Sequence, residues 1–342
     1  MNLVVRADAN ANIGTGHVMR CLSLAQAWKG RGGRVTFVCA CDSDALCQRI
    51  ENEGLQLVRL GRSYPDSSDL EVTSRILGEK SADWLVLDGY NFDFEYQYRI
   101  KQTGHCLLVI DDTASLEHYC ADVILNQNIN AERLNYSCER NTRFLLGTQH
   151  ILLRSEFLAW RGLERRICNK ARKVLVTLGG ADPDNQTLKI LRAIQHKNIR
   201  EIEARIVLGE CNPHFKTMQA PTFDSKKTFK FFRAVKNMPE IMHWADIAVS
   251  AAGSTSWELT YMGVPFLTTI LAQNQARIAQ GLDEAGAAIN LGWLQDLHEE
   301  DLAKHLAEII SRWEVRQRLS RMGQKLVDGL GAERVVSYLL ER

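Results

Sequence analysis

Along the chain, short apolar runs rich in β-branched residues alternate with longer segments whose apolar positions recur at helical spacing. Residues 3–5, 35–39, 55–60, 84–87, 107–110 and 123–125 have the length and composition of buried strands. Between the first two, Val18, Leu22, Ala25 and Trp28 share one helical face, and the glycines at 30, 32 and 33 supply a stop. The pattern restarts with 174–177, 202–208, 247–250, 266–270 and 287–291. Strands alternating with helices predict parallel sheets covered on both faces, an α/β fold.

A polar stretch at 126–141 and the FLLG run close the first half, and the charged segment 155–172 reads as a helical connector. At 342 residues the chain is long for one core, because domains average roughly 150 residues. The reading is two domains, 1–153 and 154–342, whose sheets face a central cleft. Leu302, Leu306, Ile309 and Ile310, then Leu319, Met322 and Leu326, predict helices that close the second domain.

Composition removes several classes of function. A formal net charge of +1 gives no field to hold a polyanion, so nucleic acid is not expected as a partner. The basic positions Lys226, Lys227, Lys230, Arg233 and Lys236 alternate with Phe229, Phe231 and Phe232 as in a half-buried strand, which favours a solvated face over an RNA patch. Nine cysteines, Cys21 to Cys211, show no CxxC or Cys/His ligand spacing, as expected of reduced thiols in the cytoplasm. The N-terminus lacks the pattern of a signal peptide. No apolar run approaches the roughly 20 residues of a membrane span, so no membrane insertion is expected.

Four stretches carry candidate chemistry. IGTGH, residues 13–17, lies between the first strand and the first helix, the strand end that faces the ligand in a doubly wound sheet. Gly14 and Gly16 allow backbone N–H groups close to a phosphate or sugar, and His17 is either a base that activates water or a histidine that caps and packs the helix. TLGGADPDNQT, residues 177–187, puts Gly179 and Gly180 in a phosphate loop or an ordinary tight turn. In residues 246–265, Gly253, Ser254 and Thr255 at a helix start offer donors to a diphosphate. Glu258, one turn further on, either accepts from a ribose diol or stabilises the helix start. In LAQNQ, residues 271–275, Asn274 and Gln275 suit sugar hydroxyls and N-acetyl groups, although Asn274 also suits a cap. Asp111 and Asp112 end a strand, with metal, acid and loop-capping roles all open. The remaining histidines, His105, His118 and His243 among them, lie in no ligand spacing, so no metal or cofactor is assigned.

RADANANIGTGHVMRCLSLAQAW, LVLDGY, LGGADPDN, SAAGSTSWELTYMGVP and LAQNQ, in that order over nearly the whole chain, closely resemble the UDP-2,4-diacetamido-2,4,6-trideoxy-β-L-altropyranose hydrolases of pseudaminic acid biosynthesis. That family is similar to the MurG type of glycosyltransferase, so the resemblance implies the GT-B fold, two Rossmann-like domains with UDP held mainly by the second. It also implies hydrolysis of the UDP-sugar (UDP-6-deoxy-AltdiNAc) to UDP and free sugar, with inversion at the anomeric carbon.

Carried over by position, His17 matches the catalytic histidine, Gly14 and Gly16 its flanking glycines, and Gly179 and Gly180 the second glycine loop. Gly253, Ser254 and Thr255 match the diphosphate-binding helix start, Glu258 the ribose-binding acid, and Val235 the position whose backbone meets uracil. Asp88 and Tyr90, with Asn274 and Gln275, are the positions expected to orient the sugar. The chain departs from the family at Gly89, where members often carry histidine or another side chain, which puts a sugar contact in doubt. The alternatives are a GT-B glycosyltransferase whose histidine deprotonates an acceptor, a non-catalytic nucleotide-sugar sensor, and a hydrolysing 2-epimerase.

Overall fold

The computed structural model describes residues 1–10, 13–180, 182–209, 212–218, 227–233, 235 and 237–341. Ala11 and Asn12 of the first motif, Ala181 of the second, Cys211, Lys226 and Lys236 lie outside the described residues. The chain divides into two compact units, one of residues 1–155 with 330–342 and one of residues 156–329.

In the first unit, β1 (Asn2–Ala7), α1 (Gly16–Gly30), β2 (Arg34–Ala40), α2 (Asp44–Asn52), β3 (Gln56–Leu60), α3 (Ser67–Glu79), β4 (Trp84–Asp88), α4 (Phe94–Gln102) and β5 (Cys106–Ile110) alternate strictly. Two strands, β6 (Val123–Asn126) and β7 (Arg143–Leu146), complete the sheet. All strands are parallel, in the order β3-β2-β1-β4-β5-β6-β7. The order reverses between β1 and β4, which are in register from Leu3 opposite Trp84 to Ala7 opposite Asp88. In such sheets the strand ends on either side of the reversal open onto the ligand site.

Buried side chains on both faces of this sheet form two cores. Leu3, Val5, Phe37 and Val86 pack with the buried face of α1, while Val4, Leu85, Leu87 and Val109 pack with Tyr96 and Ile100 of α4. A charged residue of β1 sits within the apolar sheet: Arg6 is fully buried, with its guanidinium bound to Asp8 and Asp69. Asp8 Oδ1 also accepts from the Ala40 N–H at 2.7 Å, so the ion cluster joins the ends of β1 and β2 to α3. A buried arginine is tolerable because each donor face meets a carboxylate.

The second unit repeats the plan. After α5 (Ser155–Leu158) come β8 (Lys173–Thr177), α6 (Gln186–Gln195), β9 (Glu203–Leu208), α7 (Phe215–Met218), β10 (Thr228–Arg233), α8 (Met238–Trp244), β11 (Ile247–Ala251), α9 (Ser254–Tyr261), β12 (Phe266–Ile270), α10 (Ala276–Glu284) and β13 (Ile289–Trp293). The parallel order is β10-β9-β8-β11-β12-β13, with the reversal between β8 and β11. Of the alternating basic and phenylalanine positions, Phe229, Lys230, Phe231, Phe232 and Arg233 lie in the edge strand β10, with the phenylalanines half-buried and Lys230 and Arg233 exposed. Two helices follow, α11 (Glu299–Ser311) and α12 (Trp313–Leu326).

Two features differ from the sequence reading. Segment 155–172 is helical only over α5, then runs as turns and irregular chain, because its charges fall on no continuous apolar face. The last helix, α13 (Gly331–Leu340), belongs to the first unit and not to the second. Its Val335, Val336 and Leu339 enter the core that contains Leu3, Val35 and Trp84, and Trp84 Nε1 donates to the Leu339 carbonyl at 3.1 Å. Nothing in the local spacing of α13 says which sheet its apolar face will meet.

Because Leu339 is 2% exposed, Leu339→Ala is expected to destabilise the first unit by about 3 kcal/mol. Thermal unfolding followed by Trp84 emission, with Trp84 as the retained tryptophan, checks this; an unchanged midpoint would mean that α13 does not support that core.

Candidate active site

The loop from β1 to α1 is built to hold its histidine still. Ala9 N–H donates to the Ala40 carbonyl at 3.1 Å, Gly14 N–H to the Asn10 carbonyl at 2.9 Å, and Ile13 N–H to Asn10 Oδ1 at 3.0 Å. Gly14 has φ +73°, a conformation that costs glycine little and other residues more. Helix α1 then begins at Gly16, so His17 stands in its first turn, buried to 9% exposure.

One strand over, β4 ends at Asp88, which is wholly buried. His17 Nδ1 lies 2.6 Å from Asp88 Oδ1. Arg20, one turn along α1 from His17, donates from Nε to Asp88 Oδ2 at 2.6 Å and from Nη2 to Oδ1 at 2.7 Å. Its Nη1 donates to Asp112 Oδ1 and Oδ2 at 2.8 and 3.0 Å. Asn128 Nδ2 donates to Asp112 Oδ1 at 2.6 Å and the Tyr90 hydroxyl to Oδ2 at 2.7 Å. The Tyr90 ring meets the imidazole edge-on, centroids 5.0 Å apart, and remains 44% exposed.

The electrostatics assign the protons. Burial opposes ionisation of Asp88, but the charge of Arg20, and then His17, holds its carboxyl well below the usual carboxylate range. Burial likewise opposes ionisation of Asp112, and Arg20 outweighs it. An ionised carboxylate only accepts, so the proton of a neutral His17 sits on Nδ1. Among the described residues Nε2 then has no hydrogen-bond partner, which leaves its lone pair to take a proton.

Several sequence expectations change here. Asp88 does not face a sugar: it is enclosed by His17, Arg20 and the Cys21 thiol, which donates to Oδ2 at 3.4 Å, and it orients the imidazole. Asp111 caps a loop, accepting from the N–H groups of Thr113 and Ala114 and from the hydroxyls of Tyr119 and Tyr136. At Gly89 a Cβ would stand 2.9 Å from Phe92 Cε2, so glycine fits this chain's own packing. Arg20 was not anticipated; its signal was a cation three residues after His17, on the same helical face.

In the second unit, Gly179 and Gly180 follow β8, and Gly253, Ser254 and Thr255 follow β11, so both stretches sit at the reversal in strand order. Asp182 accepts from the Gln186 and Thr187 N–H groups at 2.7 and 2.9 Å and caps α6, a role the motif did not reveal. Ser254 and Thr255 occupy the first turn of α9, where N–H groups have no intrahelical acceptor, and Glu258 is half-buried one turn on. Asn274 and Gln275 lie in a 3₁₀ turn leading into α10. The Gln275 Oε1 is occupied by the Leu271 N–H at 2.9 Å, so this side chain braces its own loop. Val235 falls between β10 and α8, two strands from the reversal. Among the described residues no three His, Cys, Asp or Glu side chains are grouped to hold a metal ion, and no helix is long and apolar enough to cross a membrane.

Known proteins are similar to this chain in sequence and in fold. Residues 173–330 match the glycosyltransferase family 28 C-terminal domain. Over 100% of both chains, the structure superimposes on MurG of Acinetobacter baumannii with a TM-score of 0.68 at 15% identity. The fold is GT-B. The spore coat polysaccharide biosynthesis protein SpsG of Bacillus subtilis is 28% identical over 99% of this chain and 98% of its own length. The UDP-2,4-diacetamido-2,4,6-trideoxy-β-L-altropyranose hydrolase of Campylobacter jejuni is 24% identical over 84% of this chain and 97% of its own. The resemblance carried by the motifs thus extends over nearly the whole length of these relatives.

Asp88 is held ionised in the folded chain, so its contribution to stability is fully present above the ordinary aspartate pKa of about 4 and is lost as pH falls towards its lower folded value. In urea unfolding, the gap between wild type and Asp88→Asn is expected to shrink as the pH falls below about 4. A gap that persists unchanged at pH 3 would contradict the ionised pair.

Proposed function

We propose that this chain hydrolyses a UDP-linked diacetamido-trideoxy sugar, UDP-6-deoxy-AltdiNAc, to UDP and the free sugar in pseudaminic acid biosynthesis, with His17 as the catalytic base. The observation that carries the reading is the 2.6 Å contact between His17, in the first turn of α1, and Asp88, at the end of β4, with Nε2 having no hydrogen-bond partner among the described residues. The hydrolase activity for which the Campylobacter jejuni relative is named supports the substrate and the hydrolytic outcome.

In this mechanism the oxygen of water attacks the anomeric carbon while its proton passes to His17 Nε2. The bond from that carbon to the diphosphate oxygen breaks, and UDP departs with the electron pair. A single displacement inverts the anomeric centre. Asp88 keeps the imidazole in the required tautomer and stabilises the imidazolium that forms. Tyr90, exposed beside the imidazole, contacts the sugar, while Gly14 and Gly16 keep the loop backbone within reach of it.

UDP binds to the second unit: N–H groups at Gly253, Ser254 and Thr255 take the diphosphate, Glu258 the ribose, the Val235 backbone the uracil, and Gly179 and Gly180 line the neighbouring loop. Asn274 contributes an amide to the sugar, with Gln275 shaping the turn that carries it. The free thiols among the described residues fit a cytoplasmic enzyme.

The match to a glycosyltransferase domain favours one second reading, in which an acceptor hydroxyl replaces water at the same base. UDP release without acceptor separates the two. The wild type is expected to turn over, His17→Ala to lose roughly 10²- to 10⁴-fold in kcat while still binding UDP, and Asp88→Asn to lose at least about 10²-fold. UDP release that requires an added acceptor would favour the glycosyltransferase, and full activity in His17→Ala would remove histidine from the chemistry.

A further inference from the structure

The groups around His17 close into a ring that the hydrolytic mechanism uses only in part. From His17 the contacts run to Asp88, from Asp88 to Arg20, from Arg20 to Asp112, from Asp112 to the Tyr90 hydroxyl, and from the Tyr90 ring back to the imidazole. The mechanism accounts for His17, Asp88 and Tyr90. It gives no task to Arg20 or Asp112, although Arg20 is 7% exposed and the Asp112 side chain 6%.

Their charges have a direct consequence. A lone buried carboxylate against an imidazole holds the imidazolium tightly, and a histidine already protonated cannot act as a base. Here both Asp88 oxygens also accept from Arg20, whose cation offsets the carboxylate. Asp112 draws on the same guanidinium from its other side, through two contacts of 2.8 and 3.0 Å, and so returns part of the Asp88 field to His17. Among the described residues, the other ionisable groups touching the ring are Cys21 from α1, whose thiol burial keeps protonated, and Tyr90 after β4. Asn128, neutral, fixes the remaining side of Asp112.

We propose that Arg20 and Asp112 are positioning residues that set the protonation of His17 in opposite directions, Arg20 favouring the neutral base and Asp112 favouring the imidazolium. This deepens the hydrolase reading and rests on it only where activity is the readout. A role confined to holding the fold would not give shifts of opposite sign.

The test follows the His17 imidazole by NMR titration in the free protein, beside the pH dependence of kcat/KM. In Asp112→Asn the imidazole midpoint is expected to fall by roughly one pH unit, and in Arg20→Met to rise by a similar amount. Asp112→Glu, which restores the charge, returns it towards wild type. Should Asp112→Asn not fold, Asn128→Ala, which removes one donor from Asp112, is expected to raise the midpoint by a few tenths of a unit. Unchanged midpoints, or shifts of one sign in both charge-removing variants, overturn the proposal. Opposite shifts in the NMR titration with an unmoved acid limb of kcat/KM support it and instead remove His17 as the base.

Discussion

A carboxylate with no exposed surface cannot stay ionised unless cations and donors replace the water it has lost, and Asp88 is such a group. Its two oxygens are filled by His17, Arg20 and the Cys21 thiol. All three come from the first two turns of α1, and Asp88 itself ends β4, so the same contacts dock the helix on its sheet and orient the imidazole. Arg20 then needs a second anion for its remaining donor, which ties Asp112 and, through it, Tyr90 and Asn128 into the site. The satisfaction of one buried charge thus organises the ends of β4, β5 and β6 around the first helix.

Sheet topology makes this possible. β1 and β4 are neighbours although 76 residues lie between the end of one and the start of the other, and their helices leave in opposite directions at the reversal in strand order. His17 and Asp88, far apart in the chain, therefore emerge side by side. The second unit has the same topology, and the glycine stretches after β8 and β11 occupy the equivalent ends. There the groups on offer are backbone N–H groups and hydroxyls rather than an ion pair, which suits an anionic ligand more than proton transfer.

Much of the fold was legible because buried parallel strands are short, continuous apolar runs and the helices between them carry one apolar face. β7 and the long connector were less legible: FLLG is too short to separate a strand from the end of one, and charged sequence without periodicity gives no sign of its path. At the site, His17 announced itself through its glycine-flanked position. The roles of Asp88, Asp112 and Gln275 did not, because an acid or amide at a strand end suits a ligand, a cap or an ion pair equally well. Only its neighbours in space distinguish these roles.

The alternation of strand and helix, the doubling of that plan, and the glycine-bearing loops follow from the chain alone, since these depend on local periodicity and backbone freedom. Tertiary structure alone decided that α13 packs in the first unit, that Asp88 faces His17 instead of solvent, and that Arg20 is shared by two carboxylates. Burial and charge pairing depend on residues that are distant in sequence and adjacent only once the sheet has formed.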